Sequence, residues 1–358
     1  MLSRSARAPS AARAIKTTLV ATWLALNISA SATAGTLQDL NGAHERRDYP
    51  TELKLLQPLA DKGIAIAQYN LATMYENGYG VPKNFVIAAT WYRRAAEQGN
   101  VDAQYNLGLM YANGEGLLQN YAAALSWFRR AAEQGDAGAQ TKLGFMYYRG
   151  QGTSQDYARA LFWTRKGAEQ SNPDGEYNLG VLYYRGCGVQ RDYAAALRLF
   201  RKAAYQGITS AETILGVMSE YGQGVVQSES AAVAWYRKAA EAGDVDAESN
   251  LAVMYDTGRG VPHDAATAAG WYLRAANQGN APAEVNLAAM YYEGQGVAQD
   301  YMRAYVWASL AAAHYPASES EARANALRTR DMAKTKMTPA QIAAAQRSVR
   351  QLTAIGQQ

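Results

Sequence analysis

The side chains best suited to acid–base or nucleophilic chemistry are few: His44, His263, His314 and a single cysteine, Cys187. Nucleophilic catalysis needs a base within hydrogen-bond reach of its nucleophile, and a zinc site needs ligands at the short spacings of an H-E-x-x-H helix. The three histidines are isolated and none has such spacing. No S-x-x-K occurs anywhere in the chain, so the nucleophile motif of the serine β-lactamases is missing. The residues therefore nominate no catalytic set, no metal site and no cofactor. One cysteine cannot form an internal disulfide. Cys187 stands between Gly186 and Gly188, where a thiol has intermolecular bonding or oxidation open to it. The plainer reading is a neutral turn substitution.

A G-x-G recurs at 78/80, 114/116, 150/152, 186/188, 222/224, 258/260 and 294/296. A phosphate cradle would need a strand before it and a helix after it. Each of these follows an amphipathic helical stretch instead, as Leu107, Met110 and Tyr111 at i, i+3 and i+4 illustrate. The glycines are better read as helix stops that supply positive φ for a reversal.

Those turns belong to a larger pattern. Ala67, Ala103, Ala139, Gly175, Ala211, Ala247 and Ala283 open seven copies spaced by 36 residues without a slip. Asn84, Asn120, Asp156, Asp192, Ser228, Asp264 and Asp300 share a column of helix N-caps. Ala88, Ala124, Ala160, Ala196, Ala232, Ala268 and Ala304 form an alanine column where two helices nearly touch. Gly99, Gly135, Gly207, Gly243 and Gly279 end the second helix, whereas copy three has Ser171 followed by Pro173, which predicts an irregular junction. A fixed period of this length marks a solenoid of one supersecondary unit, here helix, tight turn, helix, tight turn. Tryptophan recurs at 91, 127, 163, 235, 271 and 307, and methionine at 74, 110, 146, 218, 254 and 290. Repetition at the structural period assigns both columns to core packing.

The unit Ala103, Tyr105, Asn106, Leu107, Gly108, Tyr111, Gly114, Gly116, Asn120, Tyr121, Ala124, Trp127, Ala131, Ala132, Gly135 resembles the Sel1-like repeat, a relative of the tetratricopeptide repeat. The resemblance implies an all-α, right-handed α/α superhelical solenoid of seven 36-residue helix-turn-helix repeats over residues 64–314. It also implies a non-enzymatic adaptor that binds a protein or extended peptide on its concave face. Some cysteine-rich members are β-lactamases, which leaves a hydrolase acting on β-lactam or cell-wall substrates as the alternative. Against it, this chain has neither the paired cysteines nor the S-x-x-K.

Residues 1–34 stand outside the repeats. Arg4, Arg7, Arg13 and Lys16 precede a modest apolar run from Thr17 to Asn27, and Ala32-Thr33-Ala34 precedes Gly35. This predicts a secretory signal peptide, hence an exported, periplasmic product without stable membrane insertion after leader removal. An organellar or secretory-pathway destination is the rival. The full chain carries a net charge of +4, from 35 basic and 31 acidic residues. The leader holds four of the basic and none of the acidic, so its removal leaves 31 of each. A formally neutral mature chain follows, with no nucleic-acid partner implied, and a monomer is the expected state. Residues 35–63 read as an N-terminal capping half-repeat with Asp48 in the N-cap column, and 315–358 as two C-terminal capping helices.

Two sets of residues are candidate partner contacts. Asn70, Asn106, Asn178, Asn250 and Asn286 form an amide column, interrupted by Lys142 and Ile214. An amide offers two donors and an acceptor, suited to the backbone of an extended peptide. The alternative is that these amides bond to the preceding repeat and fix its angle. Before the turns of copies three and four stand Tyr148-Arg149 and Tyr184-Arg185. Tyrosine and arginine are common interface anchors, and the related family places such positions in its groove. Glu76, Glu220, Asp256 and Glu293 at corresponding places would form acidic shoulders around that basic centre.

Overall fold

The computed structural model describes residues 30–355, all of whose regular elements are helices. Residues 1–29, with most of the expected leader, lie outside the described part. Helix α1 (Ala30–Glu45) runs through the expected cleavage point, and α2 (Tyr49–Asp61) follows it. Seven helix pairs succeed these. They are α3/α4 (Ala65–Asn77, Phe85–Glu97), α5/α6 (Val101–Asn113, Tyr121–Glu133), α7/α8 (Ala137–Arg149, Tyr157–Glu169) and α9/α10 (Pro173–Arg185, Tyr193–Tyr205). Then come α11/α12 (Thr209–Tyr221, Glu229–Glu241), α13/α14 (Val245–Thr257, Ala265–Asn277) and α15/α16 (Ala281–Glu293, Tyr301–His314). The chain ends with α17 (Ser320–Lys334) and α18 (Pro339–Ile355), both packed on α16. Thr338 and Gln341 cap α18 reciprocally, each side chain accepting from the other's backbone N–H. Its contacts divide the chain into two compact units, residues 1–178 and 179–358, with the division inside α9.

The boundaries follow from local chemistry. Every member of the predicted N-cap column accepts a backbone N–H from the first turn of its helix. A second cap column lies at the first helices, where Asn100, Asp136, Asp244 and Asn280 do the same. Ser171 takes φ +56°, the left-handed conformation that glycine provides in the other copies. Asn172 then caps Gly175 and accepts from the Thr141 hydroxyl at 3.1 Å, so the junction keeps its form with different residues.

The two glycines of each G-x-G do different work. The first sits at φ +66° to +79° as the C-cap of the first helix. The second lies against the preceding repeat. A Cβ on Gly116 would stand 2.4 Å from the Phe85 carbonyl carbon, and one on Gly296 would stand 2.2 Å from the Ala265 oxygen. These are stacking contacts between repeats as much as turns.

The core is built from one residue type per column. Methionines 74, 110, 146, 218, 254 and 290 are all buried, and Ala88 through Ala304 have no exposed surface. The tryptophans only lean on the core and stay half-buried. The deepest aromatics stand one position further on, at Tyr92, Phe128, Phe200, Tyr236 and Tyr272, while copies three and seven have Thr164 and Ala308 there. Gly108 and Gly216 accept those rings, since a Cβ on either would meet Phe128 or Tyr236 below 3 Å. The tryptophan indoles instead lie under cations: the Arg94, Arg130 and Arg274 guanidinium carbons each sit 4.5 Å from the ring centre.

A buried polar position ties successive repeats. Gln68, Gln104 and Gln140 each donate an amide N–H to a carbonyl of the preceding second helix (Ala60, Ala96 and Ala132) at 3.1 Å. Each also accepts from the glutamine at the end of its own repeat: Gln98, Gln134 or Gln170. In later copies the same position is Glu176, Glu212, Glu248 or Glu284, equally buried.

Replacing Gly135 by alanine strains only its φ of +95°, because nothing lies within 4 Å of the new Cβ. The expected loss is about 1–2 kcal/mol. Gly116→Ala adds a backbone collision, and its expected loss is about 2–5 kcal/mol. Parallel urea titrations that rank the two equally would contradict the stacking role of the second glycine.

Candidate functional site

The first helices bury one side against their partners and leave another half-covered. On α5 that second side comprises Asp102, Tyr105, Asn106 and Leu109, with Asn113 exposed beyond them, at i, i+3, i+4, i+7 and i+11. The predicted residues fall on the corresponding sides of their own helices. In the first unit Asn70 is buried, Asn106, Lys142, Tyr148 and Asn178 are half-buried, and Arg149 is exposed. In the second unit Tyr184, Asn250 and Asn286 are half-buried and Arg185 is exposed. An aliphatic and aromatic column that the sequence reading passed over runs beside the amides. It consists of Leu109 and Phe145 in the first unit, and Val217 and Val253 in the second. Its signal was present, as an apolar residue three positions after the amide column in copies two to seven, but it resembles core.

The amides have structural work as well. Asn106 hydrogen-bonds the Tyr92 hydroxyl of the preceding repeat, and Asn286 does the same to Tyr272. In each case the amide takes part in the stacking of repeats. Asn70 lines a small cavity of about 20 Å³, room for one water, with His44, Glu52, Leu56 and Ile64.

The acids expected as shoulders are committed to the core. The Tyr92 hydroxyl donates to Glu76 at 2.5 Å, Tyr236 to Glu220 at 2.7 Å and Tyr272 to Asp256 at 3.5 Å. Burial raises the Glu76 carboxyl, and it pushes the Tyr272 phenol up further, with Asp256 beside it. Glu220 also pairs with Arg259 at 2.9 Å. Only Glu293 of that set is exposed. Copies three, four and seven, which have tyrosine there, obey a different rule. Tyr148, Tyr184 and Tyr292 place their rings 5.7, 5.3 and 5.4 Å from Tyr157, Tyr193 and Tyr301, the first residues of the second helices. In those copies the position of the deep aromatic holds Thr164, Phe200 or Ala308, so no buried phenol looks for an acceptor there. The Tyr184 hydroxyl donates to Gln223 at 2.6 Å.

Two histidines face buried carboxylates: His44 Nδ1 lies 3.2 Å from Glu52, and His314 Nδ1 lies 2.9 Å from Glu284. Desolvation raises both carboxyls and the histidines oppose that rise. The His44 pair is walled by Leu40, Leu56 and Leu59, so its surroundings are aliphatic. Among the described residues no group of three or more His, Cys, Asp or Glu could hold a metal ion, and no helix is long and apolar enough to cross a membrane. Cys187 is half-buried.

The fold and this surface define a repeat scaffold of the kind that binds other proteins. The Sel1 repeat profile matches residues 65–100, 101–136, 137–172, 173–208, 209–244, 245–280 and 281–315, and the chain belongs to the Sel1 repeat family. Among solved structures it is similar to c5321, described as a protective antigen of uropathogenic Escherichia coli strains displaying an SLR fold. Identity is 32%, over 85% of this chain and 72% of that one, with a TM-score of 0.53. A Sel1 repeat protein from Oxalobacter formigenes is 30% identical over 80% of this chain and 88% of its own, with a TM-score of 0.62. No curated protein matches.

Internal comparison of the copies yields a test. Tyr92→Phe leaves the Glu76 carboxyl without its donor, and the expected loss is about 1–3 kcal/mol. Adding Glu76→Ala recreates the Ala112/Phe128 pairing of copy two and should recover most of it. A thermal double-mutant cycle with no coupling between the two positions would refute the pairing.

Proposed function

We propose that this chain is a non-enzymatic, monomeric adaptor that takes an extended protein segment along its first helices. The observation that carries this reading is the composition of the half-covered side: a column of amides, an apolar column beside them, and arginines at its border. An extended backbone is met by the amides Asn106 and Asn178 on the first unit, and by Asn250 and Asn286 on the second, each unit taken by itself. Side chains of the segment meet Leu109, Phe145, Val217 or Val253. Lys142, Arg149 and Arg185, with Tyr148 and Tyr184, favour a segment with acidic or C-terminal carboxylate character. Asn70, being buried, contributes to the wall more than to contact.

The basic, acid-free start followed by Ala32-Thr33-Ala34 supports export to the periplasm, with a regulatory or envelope-assembly role there. That the related c5321 is a protective antigen is in keeping with an exported product. Insertion in a membrane and nucleic-acid binding form no part of this reading.

Charge reversal at Arg149 and Arg185 should weaken capture of the bound segment by about tenfold or more while the melting temperature holds, because both side chains are exposed. Capture by the variant at wild-type level would end the reading. Turnover of a chromogenic β-lactam above background would replace it with the hydrolase alternative.

A further inference from the structure

The N-terminal half-repeat keeps the register of the copies but not their residues. Glu52 stands in the column that is alanine from Ala88 to Ala304. It is only 3% exposed, so it carries a carboxylate into a place that every copy fills with a methyl group. Leu56 stands where copy one has Tyr92, and Leu40 where it has Glu76. The phenol that meets Asn106 and Asn286 in later copies is therefore missing in front of Asn70. The Asn70 side chain, 7% exposed, has no hydrogen-bond partner among the described residues. It lines the small cavity that Glu52 and His44 also line.

Buried glutamates of this chain draw cations. Lys238 Nζ lies 2.7 Å from Glu212, and Arg274 Nη2 lies 2.8 Å from Glu248. Glu284 has only His314, but it occupies the buried polar column that ties repeats together. Glu52 lies outside that column, and the charged neighbour acting on it is His44, at 3.2 Å. A single imidazole N–H leaves lone pairs on the carboxylate, and the Asn70 amide brings a further carbonyl. These acceptors face a space of about 20 Å³, which holds one water or one ammonium group of similar size. Around it Leu59, Ile64 and Ile66 are half-buried and aliphatic, a surface along which methylenes can lie.

We infer that the cavity between α1, α2 and α3 binds a primary alkylammonium group. Its N–H donors go to the Glu52 carboxylate and the Asn70 carbonyl, and the aliphatic rim covers its chain. A lysine side chain of a partner and a free small amine share that chemistry. The site uses neither the exposed arginines nor the apolar column assigned to an extended segment, so the two readings stand or fall independently.

The probe is n-butylammonium chloride, titrated into the isotope-labelled full chain and followed by the NMR shifts of the Asn70 side-chain amide and the His44 ring. Both should move saturably. Butanol, the same chain with a neutral head, should bind about tenfold or more weakly. Tetramethylammonium, too large for the cavity, should not bind and controls for ionic strength. Glu52→Gln and Glu52→Ala should each weaken butylammonium binding by about tenfold or more. Their melting temperatures should hold or rise, because a buried charge is removed and alanine is what the copies carry at that position. A blocked Gly-Lys-Gly peptide that competes with butylammonium identifies the lysine side chain as the source, and one that does not compete identifies a free amine. Absence of saturable shifts, or wild-type affinity in Glu52→Gln, overturns the proposal. So does butanol binding as tightly as butylammonium, which would leave the cavity to a water or a hydroxyl.

Discussion

The stack depends on one buried polar residue per repeat, the position occupied by Gln68 in copy one and Glu284 in copy seven. A helical hairpin of this size cannot cover its own apolar side, and apolar contact alone would let neighbouring hairpins slide or tilt. A buried amide does not allow that, because an unpaired donor or acceptor in the core costs about 1–3 kcal/mol. Gln104 must find the Ala96 carbonyl on one side and the Gln134 amide on the other. Both are met at a single spacing and angle. The residue therefore sets geometry more than it adds stability.

The change from glutamine to glutamate along the chain shows how that constraint is kept when its chemistry alters. A carboxylate cannot donate, so the carbonyl that glutamine would satisfy needs another partner. In copy six Arg274 Nη2 donates to the Ala240 carbonyl at 3.1 Å and lies 2.8 Å from Glu248, an ion pair rather than a second directed bond. Gln278 still donates to the other carboxylate oxygen at 2.8 Å. Copy five uses Lys238 on Glu212 at 2.7 Å, and copy seven uses His314 on Glu284. These charges are tolerated more than they are needed. Burial raises the Glu248 and Glu284 carboxyls above their ordinary values despite those partners. Folding therefore favours their protonated forms. Their contribution to stability is greatest in acid, below the ordinary glutamate value, and declines as pH rises through the raised one.

What the sequence made legible was whatever acts within a turn or two of chain. The period, the N-cap column and the positive-φ glycines are local devices, and each leaves a residue type at a fixed offset. Ser171 shows the limit of that logic: a non-glycine in the left-handed conformation breaks the pattern without breaking the junction. Contacts across sixteen or thirty residues left no such mark. Glu76 reads as a surface acid until Tyr92 is seen beneath it, and the tryptophan column reads as the deepest only because tryptophan is the largest apolar residue. Helical period alone cannot decide which of two adjacent large residues points inward, and here the neighbour does. The amide column was seen, but its double service could not be, because the tyrosine it touches belongs to the previous repeat.

Perturbed carboxyls in a cleft usually point toward catalysis. Here Glu52, Glu76, Glu248 and Glu284 each have a partner in the stacking scheme: His44, Tyr92, Arg274 with Gln278, and His314. Their perturbation has a structural cause. A repeat array makes the remaining inference sharper than a single domain would, because each copy serves as a control for the others. A residue that returns at the period has stacking as its first explanation. A surface residue that departs from it is not explained by the period.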